Sequence, residues 1–193
     1  MTETAVDTTV PQKVQKPEAV VANWWKDLND ARKPRHLRNR PGNPFDSGDS
    51  AELRRCKTVD EIVLNSQAFH TLRQRLMGTS WERADVLRLA VVAGVLSHVR
   101  LDANVSLPQA LGNKTNSDQA SKEAVRLRFQ RLIQHRTHDD VFRPMVRMLA
   151  YLEKEGVGVS SLAKDVYWWN DETRKNWAIK FYEAVLGTKK EKS

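Results

Sequence analysis

The sequence predicts an all-α protein: two small helical lobes packed as one elongated, bundle-like molecule. Three observations carry that reading. Apolar residues recur at three- and four-residue spacing through most of the chain, and no segment sustains a period-two alternation. The stretch Val86–Leu96 is apolar nearly all round apart from Arg88 and Gly94, as a helix in the middle of a bundle would be. It is also too long and too rich in Ala and Leu to read as a strand.

Taken in order, residues 1–17 are polar and aperiodic, with Pro11 and Pro17, and read as a disordered leader. A helical pattern starts at Glu18, just after a proline, and carries Ala19, Val20, Ala22, Trp24, Trp25 and Leu28. Residues 30–49 break it, because Pro34, Pro41, Gly42, Pro44 and Gly48 exclude a continuous helix. A loop of about twenty residues inside a domain is commonly functional or disordered. This one holds Arg32, Lys33, Arg35, Arg38 and Arg40 against a single acid at its start, Asp30. It is a candidate basic arm over phosphates, carried by Arg35, Arg38 and Arg40; the alternative is a solvated linker.

Helices are expected next over 50–57 and 59–76, the second ended by Gly78 and Thr79. Ser80 is the expected cap of a helix running to about Val99, with Glu82 and Asp85 suited to the positive end of its dipole. Residues 100–120 offer only a brief helical turn, Ser106–Leu111, between polar stretches. The run Gly112-Asn113-Lys114-Thr115-Asn116-Ser117 is the candidate boundary between lobes spanning 18–112 and 113–187, with a basic tail at 188–193. The second lobe should hold helices at about 119–136, 140–155, 160–168 and 171–186. Gly156 and Gly158 end the second of these, Ser160 or Ser161 caps the third, and Asp171 the fourth. Pro144 is tolerable in a first turn, which places the start of its helix near Asp140 or later.

Of 193 residues 40% are hydrophobic and 29% charged, in keeping with a soluble globular chain. The net charge of +8 and pI near 9.7 favour attraction to nucleic acid or another anionic surface. Arginine outnumbers lysine 18 to 14, and the planar guanidinium matches phosphate with paired hydrogen bonds. The lone Cys56 allows no internal disulfide and suits a reducing compartment. Glu3 and Asp7, with no apolar core around them, do not make a secretory signal. The longest charge-free apolar run, Leu89–Leu96, is far short of the ~20 residues that span a bilayer. A cytoplasmic location is the expectation.

The most informative pattern lies in the second lobe. On a wheel of 100° per residue, Val125, Phe129, Leu132 and Ile133 share one arc, while Arg128, Arg131 and His135 lie opposite, with Arg126 and Arg136 flanking the apolar arc. The next helix repeats the arrangement. Val141, Met145, Met148, Leu149 and Leu152 form its apolar stripe, and Arg143, Arg147 and Lys154 share another face. Between residues 114 and 148 eight basic side chains (Lys114, Lys122, Arg126, Arg128, Arg131, Arg136, Arg143, Arg147) face four acids, a local excess that a solvated face with internal ion pairs would not need. Such a surface grips a phosphate backbone and does not read bases. No helix-turn-helix, zinc-finger or aromatic RNP signature appears.

No catalytic set emerges. His135, His138 and Asp139 sit together, with His98 upstream, but a helix-end His before a capping Asp is the commoner arrangement, and metal ligation needs several groups to converge. Cys56 follows Arg54-Arg55, which would lower its pKa, yet it has no patterned partner and reads better as a small buried residue. Gly156-Val157-Gly158-Val159 lacks the strand and lysine of a phosphate loop. No metal, cofactor or catalytic residue is assigned. Trp168-Trp169 and the stripe Trp177, Phe181, Val185 read as core, although aromatics beside basic groups can also stack bases.

These residues complete a pattern. The chain resembles the CasB family, the small subunit of the type I-E Cascade surveillance complex of CRISPR systems. The resemblance rests on Trp24-Trp25, on Ala51-Glu52-Leu53-Arg54-Arg55-Cys56 and on Arg126-Leu127-Arg128-Phe129-Gln130-Arg131-Leu132. It continues through Leu162-Ala163-Lys164-Asp165-Val166-Tyr167-Trp168-Trp169 and Trp177-Ala178-Ile179-Lys180-Phe181-Tyr182, and so covers about 20–185. It implies an all-helical, non-enzymatic subunit, present as two copies head to tail beside guide RNA, backbone subunits and a large subunit. Recognition then belongs to base pairing, while the small subunits hold the displaced non-target DNA strand and steady the R-loop. By the same resemblance the basic contacts fall on Arg54, Arg55, Arg126, Arg128 and Arg131, with Arg143 and Arg147. The leader and the 30–49 loop are longer or more basic than the family pattern. The alternative reading is a stand-alone helical regulator that binds duplex DNA.

Overall fold

A computed structural model describes residues 15–117, 122–152 and 155–187. The N-terminal half holds α1 (Pro17–Asp30), α2 (Ser47–Arg55), α3 (Val59–Asn65), α4 (Gln67–Arg75) and α5 (Val86–Ser97). The C-terminal half holds α6 (Leu107–Ser117), α7 (Lys122–Leu132), α8 (His138–Leu152), α9 (Val159–Tyr167) and α10 (Asp171–Gly187). A 3-10 turn at Arg35–Leu37 is the remaining helical piece, and the described residues contain no strand beyond an isolated bridge between Asp102 and Val157. The fold is all-α, as the periodicity requires.

Helix α5 is the centre, buried from Leu89 to Ser97, and it packs on α2, α3, α4, α8 and α9. Gly94 allows the closest of these approaches: a Cβ there would lie 2.5 Å from Ile62 Cδ1 and 2.7 Å from Phe142 Cε2. Helix α1 spans the halves by packing on α4 and α9, and α10 packs along α6. The tryptophan motifs are mostly structural. Trp24 and Trp25 are buried and donate their indole N–H to the carbonyls of Ala68 (2.9 Å) and Val99 (3.3 Å). Trp169 donates to the His135 carbonyl and Trp177 to the Asp165 carboxylate, while Phe181 stacks on Phe129 at 4.0 Å. Buried indoles need such partners. Trp168 is the exception, half exposed at the α9–α10 turn.

Several sequence expectations change. The single helix over 59–76 is two, because Ser66 leaves the helical conformation and its hydroxyl caps α4 by accepting from Phe69 N (3.2 Å). Helix α2 starts at Ser47 through a reciprocal cap between Asp46 and Asp49, earlier than the prolines suggested. Ser80 does not cap α5: Asp85 does, accepting from Leu87 N at 2.8 Å, and the preceding turn places Trp81 in the core, stacked on Tyr167. The polar run 112–117 is helical. Thr115 is buried with its hydroxyl donating to the Leu111 carbonyl, and Gly112 lets α6 lie close to α10, where an added Cβ would come within 2.7 Å of Ala184 Cβ and the Phe181 carbonyl. Asn170, not Asp171, caps α10 through Thr173 N; Asp171 pairs with Arg174. Gly158 precedes α9 where a serine was expected. Helix α8 starts at His138, so Pro144 lies inside it and removes one backbone hydrogen bond. The Thr137 hydroxyl caps this helix through Asp140 N (3.1 Å). Residues 1–14 of the expected 1–17 leader, the 188–193 tail and Lys154 lie outside the described residues, and Pro17 already belongs to α1.

Candidate nucleic-acid interface

The apolar stripes of α7 and α8 are buried as the wheel requires: Val125, Phe129 and Leu132 on one helix, Val141, Met145, Met148, Leu149 and Leu152 on the other. Burying those faces turns Arg128, Arg131, Arg143 and Arg147 outward, and all four are exposed. Among the described residues none of the four is ion-paired with a carboxylate. The two helices pack together and leave a groove of about 510 Å³. Its walls carry Arg128, Arg131, His135 and Arg147, its floor Leu132, Pro144 and Met148. A cationic rim over an apolar floor can seat phosphates and lay a sugar or base on carbon.

On the other side of α8 lies a second concavity, of about 360 Å³, lined by Arg32, Arg54, Ser97, His98, Arg100, Leu149 and Ala150. Arg54 and Arg55 are exposed on α2, their Nε atoms donating to the Ser50 and Ala51 carbonyls one turn back. Burial, with Arg54, Arg32 and Arg143 nearby, pushes the His98 imidazole down to about 4. Arg143, exposed on α8, is thus close enough to His98 to act on it electrostatically.

The remaining candidates are engaged within the protein. Arg126 is bound by Glu123 through two hydrogen bonds, of 2.7 and 3.0 Å. Lys114 is half-buried, donates to the Leu152 carbonyl (3.3 Å), sits 3.7 Å from Glu155 and lies over the Tyr151 ring. Lys122 is half-buried in the first turn of α7. In the 30–49 segment, Arg40 pairs with the buried Asp27, which also binds Arg75 at 2.6 Å. Asp30 accepts from Lys33 Nζ and from the backbone N–H of Asn39 and Arg40. Arg38 donates to the Ala31 and Lys33 carbonyls, and only Arg35 of the three arm arginines stands exposed without an ion pair among the described residues.

Sequence reading missed Arg32, His98 and Arg100 as a group. Arg32 looked like part of the loop but is the inner wall of the second concavity. The polar pair His98 and Arg100, directly after the mostly apolar α5, was the available signal. Cys56 is buried, and burial, with Glu61 and Glu52, raises its thiol pKa in spite of Arg54-Arg55. His135, His138 and His98 line three different surface depressions, and the described residues bring no three His, Cys, Asp or Glu side chains together as a metal set. No described helix is long and apolar enough to cross a membrane.

The fold and this surface define an all-helical protein with a cationic face on α7 and α8. The comparisons are more specific: the family model for CRISPR-associated protein Cse2 matches residues 49–182, and the chain belongs to that family, which is the CasB family. A chain in the crystal structure of E. coli Cascade bound to a PAM-containing dsDNA target shares the fold. The TM-score is 0.57 at 19% identity, covering 86% of this chain and 95% of that one. No curated protein matches.

Proposed function

We propose that this protein is a non-enzymatic small subunit of a type I-E Cascade complex in CRISPR defence. It holds the displaced non-target DNA strand by its backbone and so stabilises the R-loop. The observation that carries the reading is the α7–α8 groove, where arginines with no ion pair among the described residues rim an apolar floor. Membership of the Cse2 family and the likeness to a chain of a DNA-bound Cascade support it. Binding of this kind releases counterions and is blind to sequence, which leaves recognition to the guide RNA. Arg54, Arg55, Arg128, Arg131, Arg143 and Arg147 are the proposed contacts. Arg126, Lys114 and Lys122 contribute less, because the first two already have protein partners and Lys122 is half-buried. The other Cascade subunits, guide RNA and a second copy of this chain packed head to tail are the proposed partners.

Reconstitution with the other Cascade subunits and guide RNA, followed by chemical probing of the non-target strand, tests the reading. Arg128→Glu with Arg131→Glu should leave assembly intact, raise strand reactivity and weaken target binding. Unchanged protection would overturn the placement. Tight, sequence-selective duplex binding by the chain alone would favour a stand-alone regulator instead.

A further inference from the structure

Behind the groove, four arginines gather around His98, with no acid among the described residues that line the concavity. Arg32 comes from just after α1, Arg54 from α2, Arg100 from just after α5 and Arg143 from α8. Among the described residues no carboxylate pairs with any of the four. Arg32 is half-buried, and its hydrogen bonds go to neutral acceptors: Ser50 Oγ (2.6 Å), Asn29 Oδ1, and the carbonyls of Ser97 and Val99. A guanidinium taken out of water without a counterion is costly. Burial, with Arg54 and Arg100, brings Arg32 down to about 10, and burial, with Arg54, Arg32 and Arg143, brings the His98 ring down to about 4. That ring has no hydrogen-bonding partner among the described residues, and neither do the terminal nitrogens of Arg54. The concavity above them opens to solvent and is roomy enough for a phosphate group with its sugar.

The geometry points to a phosphate seat, in which Arg54, His98 and Arg100 donate to one phosphate group while Arg32 and Arg143 supply the surrounding field. The ligand chemistry is a tetrahedral phosphate, either free or as one phosphodiester of a strand crossing α8 from the groove. The strand source rests on the proposed function; the seat itself does not. A phosphate charge near His98 would offset its arginine neighbours while the burial persists, so occupancy should raise the pKa of the ring.

The full chain, labelled with nitrogen-15, allows the His98 ring to be followed by NMR through a pH titration at constant ionic strength. With inorganic phosphate replacing chloride, the His98 midpoint should rise saturably by about one unit or more. Arg54→Gln with Arg100→Gln should abolish the rise, and Arg128→Gln with Arg131→Gln should preserve it. A midpoint that phosphate does not move, or that the α7 variant loses equally, overturns the seat. A thymidine oligomer with phosphodiester links and one with neutral methylphosphonate links separate the sources. Movement with the charged oligomer alone supports a strand phosphate, and movement with inorganic phosphate but neither oligomer limits the seat to free phosphate. If the strand binds while His98 ignores every probe, the seat fails and the proposed function survives. If phosphate moves His98 in a protein that protects no strand within Cascade, the function fails and the seat survives.

Discussion

The segment 30–49 and the paired helices α7 and α8 look equally basic in the sequence, and the fold treats them differently. In the first, Arg40 and Arg75 close on Asp27, Arg38 caps backbone carbonyls, and Asp30 gathers Lys33 and two backbone N–H groups. In the second, Arg128, Arg131, Arg143 and Arg147 stand exposed, with no ion pair among the described residues. Counting charges does not separate the two. The difference lies in two buried carboxylates on the last turn of α1, which turn a stretch of arginines into a clamp that holds its own loop. Among the described residues the α7–α8 arginines meet no such acid.

The largest effect should come from the second region. Replacing Arg128, Arg131, Arg143 and Arg147 together with Gln should weaken single-strand binding on the order of 100-fold at low salt and flatten the salt dependence, since each lost phosphate contact removes about 0.7 from the logarithmic slope. Anisotropy titration measures both. Thermal melting should show the fold unchanged, because exposed unpaired arginines stabilise nothing.

The first region should respond in the opposite sense. Asp27→Ala leaves Arg40 and Arg75 facing each other without their acid, and should destabilise the fold by about 2 kcal/mol in denaturant unfolding. Arg38→Gln with Arg40→Gln should cost less, about 1 kcal/mol, and should change strand binding less than twofold. If those two substitutions weaken binding as strongly as the α7–α8 set, the segment is a binding arm after all.

The smallest effects are those of pH. The His98 ring, lowered from 6.5 to about 4 by burial and then by Arg54, Arg32 and Arg143, binds a proton more readily in the unfolded chain. It therefore contributes stability above pH 6.5 that declines as the pH falls toward 4. His98→Gln should remove that part of the acid-side decline in melting temperature. Burial alone would raise the Asp30 carboxyl, but Lys33 and the N–H groups of Asn39 and Arg40 hold it below its usual value. Its contribution persists above about pH 4 and is lost below, so Asp30→Asn should flatten the curve only at that acid end.

The same contrast explains what the sequence could disclose. The stripes of α7 and α8 and the burial of α5 are local properties of a period, and they are legible from residues 86–96 and 122–152 alone. The second half of α6 was hidden because its polar residues are used inward: Thr115 bonds its own helix, and Asn116 reaches the Ala184 carbonyl on α10. Ser66 was hidden because a serine inside an amphipathic run reads as tolerated until its cap geometry is seen. The clamp at Asp27 and Asp30 depends on a chain reversal that no pattern specifies. The second concavity draws Arg32, Arg54, His98, Arg100 and Ala150 from four separate stretches, and only the fold brings them together.

The most direct test of the account sets the two regions side by side in one salt titration of single-strand binding. Arg35, Arg38 and Arg40 are changed to Gln in one variant, and Arg128, Arg131 and Arg147 in the other. The account predicts a slope shallower by about two units for the α7–α8 variant and an almost unchanged slope for the loop variant. Equal losses in both, or a loss confined to the loop, would contradict it.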